Sequence, residues 1–297
     1  MTDVSIVVVS YNTSDLIQKC IDSVIKFSDN FSYEIIIVDN CSSDKSAEII
    51  KKKYSDLILI ENKSNVGFGR ACNSGIGISN GEYVFLLNSD TILTNNAISY
   101  FLNFMRLNNF NHDIGVIGSC LLDSKFKTIH SFGSFPSFKG EINRLFSNHD
   151  KENLIDKFAL TGFQEVDYLT GANLFFCKET VGKIGYFDPD YFMYYEEVDF
   201  QKRMAINNLK RLVIKGPKII HLQGMSFDAT MTSKKKFMIY DSMFKYFNKN
   251  VGFIENIAIR SLYLFFYSPI KILKNPFKIE SYYILAFILN LKKNLKN

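Results

Sequence analysis

The sequence predicts an α/β chain in which a mainly parallel sheet carries helices on both faces and a C-terminal helical extension is both basic and apolar. Three observations predict it. β-Branched runs alternate with segments of helical spacing through residues 5–90, a pattern that requires parallel strands joined by crossover helices. The runs end in short polar residues, where ligands of such sheets bind. Charge divides at Ser233: residues 1–233 carry 23 Lys or Arg and 27 Asp or Glu, whereas residues 234–297 carry 12 and 3.

The elements follow in order. Ser5-Ile6-Val7-Val8-Val9 reads as a strand buried on both faces. Thr13 or Ser14 is expected to cap a helix whose Leu16, Cys20, Val24 and Phe27 share one face. A second strand, Glu34 to Val38, ends at Asp39-Asn40, and Ser42 or Ser43 is expected to open a helix reaching about Tyr54. A third strand, Leu57 to Ile60, leads through Asn65-Val66-Gly67 into a glycine-interrupted helix. A fourth, Tyr83 to Leu87, ends in Asn88-Ser89-Asp90. Ser124 to Thr161 lacks periodicity and reads as long loops around short strands. Val166 to Leu169, Leu174 to Cys177, and segments near Leu212 and Ile219 read as strands, with a helix from the Glu196 cluster to about Ile206. The expected division is residues 1–233, with halves at about 1–120 and 121–233, and a helical extension over 234–297.

Composition narrows the class. An apolar content of 47%, a charged content of 22% and 5 prolines in 297 residues exclude general disorder. The five cysteines include no CxxC pair, so neither a disulfide framework nor a zinc-thiolate site is expected, and a reducing, cytoplasmic compartment fits. The N-terminus has no basic region ahead of its apolar run, so that run is expected to be a strand rather than a signal.

Three features carry chemistry. Asp90, at a strand end among short polar residues, suits a divalent cation held against a diphosphate; its alternative role is to cap a helix near Asn95. Glu196, Glu197 and Asp199 crowd three carboxylates into four positions, which raises at least one pKa and suits a general base. The alternative is a solvated first helical turn with Asp199 pairing Arg203. His221 emerges from an apolar strand end, as a metal ligand or as a satisfied structural histidine.

Together these pieces resemble glycosyltransferase family 2, the inverting enzymes of the GT-A (Rossmann-like) fold, and especially its rhamnosyltransferase-like branch. The resembling segments are Val7 to Asn12, Val38 to Asp44, Asn65 to Asn73, Leu86 to Thr91, Thr170-Gly171-Ala172, Phe187-Asp188 with Tyr195 to Asp199, and His221 with Gly224 and Ser226. The match runs from about Val4 to Asn250. The resemblance implies that Ser10, Tyr11 and Asn12 line the nucleotide pocket and that Asp39 hydrogen-bonds the base. Asn65, Gly67 and Asn73, with Asn88 and Ser89, would shape the nucleotide-sugar site, and Gly171 and Ala172 would border the acceptor. It gives Asp90 as a contact to Mg2+ or Mn2+, His221 as a further metal or diphosphate contact, and Glu197 as the base, with Glu196 the competitor for that role. Asn88 stands where many relatives carry a first metal-binding Asp, and Glu197 stands where the base is usually Asp.

The implied activity is inverting transfer of a sugar from a nucleoside-diphosphate donor, dTDP-L-rhamnose or a UDP-hexose, to a glycan or lipid-linked glycan hydroxyl in surface polysaccharide assembly. The alternative is a non-catalytic nucleotide-sugar-binding subunit. A Rossmann dehydrogenase is excluded because Gly67 to Cys72 lacks the third glycine of GxGxxG and does not follow the first strand. A nucleotidyltransferase would need a glycine-rich basic loop after that strand. Residues 250–297 are expected either to pack on the catalytic part or to rest peripherally on an anionic membrane surface at its cytoplasmic face. No nucleic-acid partner is expected, because these lysines adjoin long apolar runs. The expectations converge on one requirement: Asp90, Glu197 and His221 must gather around one crevice.

Overall fold

Strand β1 (Val4–Ser10), helix α1 (Ser14–Phe27), β2 (Tyr33–Asp39), α2 (Ser46–Lys53), β3 (Ile58–Glu61), α3 (Phe68–Ile78) and β4 (Tyr83–Asn88) form the first half of the sheet. Successive strand residues face opposite sides. Val4, Ile6, Val8, Ile35, Ile37, Phe85 and Leu87 enter one core with α1, and Val7, Ile36, Val38, Val84 and Leu86 enter a second core with α3. Both faces are buried, which is why these strands read as unbroken apolar runs. The computed structural model describes residues 2–108, 112–146, 162–222, 233–274 and 285.

The second half comprises β5 (Thr91–Leu93), α4 (Ala97–Asn108), β6 (Ile114–Leu122), β7 (Phe132–Gly133), α5 (Phe138–Phe146), β8 (Phe163–Glu165), β9 (Tyr168–Leu169), β10 (Asn173–Cys177), α6 (Glu179–Ile184), α7 (Glu196–Ile206) and β11 (Lys210–His221). Among the described residues the main sheet runs β3-β2-β1-β4-β10-β6-β11-β5, with β8 also on β11. The β1–β2, β2–β3, β1–β4 and β6–β11 pairs are parallel, whereas β10 is antiparallel to both β4 and β6. Reversal of β10 places its entry, not its exit, beside the end of β4: Asn173 pairs with Leu87, and the Asn88 N–H donates to the Ala172 carbonyl at 3.1 Å. β5 folds back along β11 so that Thr91 pairs with His221. The ends of β1, β2, β4 and β11 and the start of β10 therefore share one rim.

The extension continues as α8 (Ser233–Asn250), α9 (Phe253–Leu262), a π-helical turn over Tyr263–Tyr267 and α10 (Ser268–Lys274). Its buried residues Tyr246, Phe247, Ile259 and Tyr263 form a third core with Tyr191 and Val198, next to the start of α7. Glu141 of α5 accepts from Arg144 Nε at 2.9 Å and from the Tyr263 hydroxyl, tying α5 to the extension. This part of the extension packs on α5 and the start of α7, whereas 275–284 and 286–297 lie outside the described residues.

Several local expectations need correction. The helix after β2 begins at Ser46, not Ser42 or Ser43, because Asp44 Oδ1 accepts the Ser46 N–H at 3.1 Å and Lys45 is left-handed at φ 65°. Asp44 Oδ2 also accepts the Ser14 N–H at 2.8 Å, whereas the Thr13 hydroxyl, expected as a cap, bonds Ser10 and Ser89 instead. The loop-rich stretch contains α5; residues 147–161 lie outside the described ones. The two strands expected near Leu212 and Ile219 are one strand with a shift in register between Ile214 and Ile219, where Gly216 has φ 122°.

Two glycines of α3 separate helix propensity from packing. A Cβ at Gly75 would overlap Val7 Cγ1 and stand 3.3 Å from Val38 Cγ2, whereas one at Gly77 meets nothing within 4 Å. Alanine gains about 1 kcal/mol of helix propensity at either position, but overpacking costs about 1–3 kcal/mol. Thermal unfolding should show Gly75→Ala lowering Tm and Gly77→Ala raising it; a higher Tm for Gly75→Ala would contradict this packing.

Candidate functional site

The rim loops are cross-tied before any ligand is considered. The Ser10 and Thr13 hydroxyls share a 2.9 Å hydrogen bond, and Thr13 donates to Ser89 Oγ at 3.2 Å, joining the ends of β1 and β4. Asn12, left-handed at φ 53°, accepts the Ser43 N–H at 2.7 Å, which fixes the β1 loop against the β2 loop. Asp39 Oδ2 accepts the Ser42 N–H at 2.9 Å, while its buried Oδ1 has no partner among the described residues. An unpaired buried carboxylate oxygen is costly unless a ligand donates to it.

Asn40 organises the next loop. Its amide donates to Asn65 Oδ1 at 3.0 Å, and its Oδ1 accepts from Asn62 Nδ2 at 3.0 Å and from the Val66 N–H at 3.1 Å. Gly67 has φ 90°, and a Cβ there would overlap the Phe192 carbonyl, which accepts the Phe68 N–H at 3.0 Å. Asn73 binds both backbone groups of Phe187, donating at 2.8 Å and accepting at 3.0 Å. Gly67 and Asn73 thus hold the 187–195 loop and do not line the cavity.

Across the rim, His221 Nε2 lies 3.1 Å from Asp90 Oδ1, and the Leu222 N–H donates to the Asp90 carbonyl at 2.9 Å. Asn88 Oδ1 and His221 Nδ1 are buried without a partner among the described residues. No group of three or more His, Cys, Asp or Glu side chains suited to a metal occurs among those residues. Asp90 and the orphaned Asn88 oxygen are hard oxygen donors of the kind Mg2+ or Mn2+ takes, with His221 beside them, and such ions complete their shell with phosphate oxygens and water. Asp90 does not cap α4; the chain after it forms β5. Gly224 and Ser226 of the resemblance lie outside the described residues.

The carboxylates begin α7. Glu196 is buried against Gly69, and Glu197 stands beside Gly171; each has one buried oxygen without a partner among the described residues. Burial, and after it the charge of Glu197, hold the Glu196 carboxyl well above the usual carboxylate range. Burial also raises Glu197. Asp199 is not part of the crevice, which corrects its inclusion among the catalytic candidates. It is buried behind the pair, where Oδ2 accepts from Arg203 Nε at 3.0 Å, the pairing the alternative reading expected, although the turn is buried and not solvated.

One cavity of about 540 Å3 is lined by Tyr11, Asn65, Asn88, Ser89, Asp90, Gly171, Ala172, Glu196, Glu197 and His221, candidates drawn from all along the chain. Ser10, Asn12, Asp39, Gly67, Asn73 and Asp199 support it from behind or from its sides. Asn40, at the polar end of the second strand, lines it as well. Sequence reasoning missed Phe68, Thr170, Phe192, Met193 and Tyr194, together with Lys234 and Met238 of α8. Adjacency to the motifs could have found the first five. No signal in the sequence ties Lys234 and Met238 to the rim. The arrangement suits a ligand with an anionic centre near Asp90 and His221 and a reacting hydroxyl near the carboxylate pair.

Comparison with known proteins bears on the family and the fold. The model of "Glycosyl transferase family 2" matches residues 5–164. The poly(ribitol-phosphate) beta-glucosyltransferase of Bacillus spizizenii is 37% identical over 117 residues, 38% of this chain and 18% of that protein. The poly(ribitol-phosphate) beta-N-acetylglucosaminyltransferase TarP of Staphylococcus aureus is 32% identical over 124 residues, 40% of this chain and 37% of that protein. The poly-beta-1,6-N-acetyl-D-glucosamine synthase of Staphylococcus aureus is 30% identical over 187 residues, 61% and 40% of the two chains. The matched part is therefore 18% to 40% of the length of these relatives. The crystal structure of S. aureus TarS 1-349 superposes with a TM-score of 0.53 at 15% identity, covering 88% of this chain and 78% of that one, a likeness of fold.

The buried pair makes stability depend on pH. Raised folded-state values mean that the native state holds protons the unfolded chain has released, so stability falls as pH rises from about 4.5 through the folded values. Glu196→Gln removes one of the two groups responsible for that loss. Its Tm should exceed that of the parent at about pH 8 and converge with it toward pH 4.5; a constant offset across this range would contradict the assignment.

Proposed function

The chain belongs to glycosyl transferase family 2, and on that premise we propose that it is an inverting glycosyltransferase acting from a nucleoside-diphosphate sugar. The observation that carries the proposal is the Glu196–Glu197 pair facing Asp90 and His221 across one crevice at the sheet rim. Glu196 is buried against Gly69, whereas Glu197 stands beside Gly171 and is less buried, so Glu197 is the carboxylate placed to act as base. Glu197 takes the proton from the acceptor hydroxyl. The acceptor oxygen forms a bond to the anomeric carbon as the bond from that carbon to the diphosphate oxygen breaks, and the configuration inverts. Asp90 and His221 would hold Mg2+ or Mn2+, which supplies neutralising charge to the departing diphosphate. Asp39, with its unpaired Oδ1, suits a base N–H, and Tyr11 and Asn65 flank the nucleotide.

For the donor, the names of the relatives favour glucose or N-acetylglucosamine over the rhamnose that the branch resemblance implies. A surface glycan or polyol-phosphate chain, free or lipid-linked, is the matching acceptor class. The reading extends to peripheral attachment at the cytoplasmic face of a membrane. Phe253, Ile254, Phe265, Phe266 and Leu273 are more than half exposed on the basic extension, and no helix among the described residues is long and apolar enough to cross a bilayer.

Glu197→Gln should reduce transfer about 10²- to 10⁴-fold while leaving nucleoside-diphosphate binding unchanged. In the parent, kcat should fall with decreasing pH around a value above the ordinary carboxylate 4.5. Retained turnover in the variant would remove Glu197 from the mechanism. A donor panel scored by diphosphate release also tests the class, because binding of nucleotide sugar without release would indicate a non-catalytic subunit. For attachment, Phe265→Asp with Leu273→Asp should weaken sedimentation with phosphatidylglycerol vesicles and leave turnover of a soluble acceptor unchanged; undiminished sedimentation would reject this surface.

A further inference from the structure

The loop that delivers the two glutamates is held by a single stripe of α8. Ser242, Lys245, Tyr246, Lys249 and Asn250 recur at helical spacing, so they lie along one face. The Ser242 hydroxyl donates to the Met193 carbonyl at 2.8 Å, and Lys245 Nζ donates to the Asp190 carbonyl at 2.7 Å. Tyr246 packs its ring against Tyr195 with centroids 5.7 Å apart. Lys249 Nζ bridges Asp188 at 2.5 Å and Asp190 at 2.7 Å. Asn250 donates from Nδ2 to Asp199 Oδ1 at 2.9 Å, an oxygen that also receives the Tyr191 hydroxyl at 3.4 Å.

The loop needs such holding. Tyr194 and Tyr195, which immediately precede Glu196, are consecutive left-handed residues at φ 70° and 66°. Non-glycine residues stay in that region only where the surroundings over-determine them. The α8 stripe grips the loop on both sides of this pair, at Asp188 to Met193 before it and at Asp199 after it. Asp199 lies two residues beyond Glu197 in the first turns of α7, where its anchorage acts together with the Gln201 side chain, which binds both backbone groups of Leu169, to hold the rotation of α7 about its axis.

We propose that α8 is a positioning strap for the catalytic carboxylates and that Asn250, through Asp199, is a positioning residue for Glu197. The proposal rests on the glycosyltransferase reading of the site. It assigns residues 233–250 to the working site, although the matched family segment ends at residue 164.

The test measures kcat, donor KM, nucleoside-diphosphate affinity and Tm for the full chain carrying Asn250→Ala, Ser242→Ala, or the exchange Asp199→Asn with Asn250→Asp. Misdirecting a base costs far more in rate than in binding, so Asn250→Ala should lose about ten- to a hundred-fold in kcat with donor KM and diphosphate affinity within about two-fold. Ser242→Ala, which removes one hydrogen bond and keeps the helix, should lose kcat in the same direction by a smaller factor. The exchange restores an amide-to-carboxylate bond between positions 199 and 250 and should recover most of the Asn250→Ala loss. Overturning results are unchanged kcat in both single variants, equal losses in kcat and diphosphate affinity, or an exchange variant no better than Asn250→Ala at equal folded fraction. Glu197→Gln in the same assay keeps the two readings apart: if it is inactive while Asn250→Ala is fully active, only the strap fails.

Discussion

Two carboxylates, the buried Glu196 and the half-buried Glu197, stand side by side at the first turn of one helix, and the surrounding architecture is arranged to tolerate them. An isolated buried carboxylate would protonate or draw in solvent. Here the start of α7 turns its positive end toward the pair, and its free N–H groups offset part of the burial. The two differ in setting: Glu196 is buried against Gly69, whereas Glu197 stands beside Gly171 and is partly open to the crevice, where an acceptor hydroxyl can approach it.

Topology determines what faces the pair. Parallel strands β1, β2 and β4 bring Tyr11, Asn40 and Asn88 to one rim, as any open α/β sheet does. The less usual feature is β10, inserted antiparallel between β4 and β6, which carries Gly171 and Ala172 into the same rim from the opposite direction. β5 then turns Asp90 back against His221 at the end of β11. The result is a crevice with an anionic-ligand side and a carboxylate side. Gly67 lets the 192–197 segment approach α3 closely enough to close it.

Much of this was legible because it is local. The apolar runs of β1, β2 and β4 are long, β-branched and ended by polar residues, and the charge step at Ser233 falls at the start of α8. What escaped depends on contacts between distant segments. Asp44 fell inside the helix expected from Ser42 or Ser43 and instead accepts the first N–H groups of two helices; Thr13 looked like a cap and is a strut between two strands. Asp199 belonged to a conspicuous acidic cluster, yet its carboxylate points back to Arg203 and Asn250. Gly67 and Asn73 were assigned to the nucleotide-sugar site, and both act on the loop behind it. Lys234 and Met238 reach the rim only because α8 folds across the 188–199 loop, which no periodicity in their own segment encodes.

The central claim concerns where the nucleotide binds, and a crystal structure of the full chain with a nucleoside diphosphate and Mn2+ tests it most directly. The account predicts the diphosphate against Asp90 and His221, the base near Asp39, and Glu197 across the open space that a sugar would fill. Nucleotide bound at the opposite end of the sheet, in the cavity lined by Asn80, Arg106 and Lys178, with the Asp90 crevice empty, would contradict it.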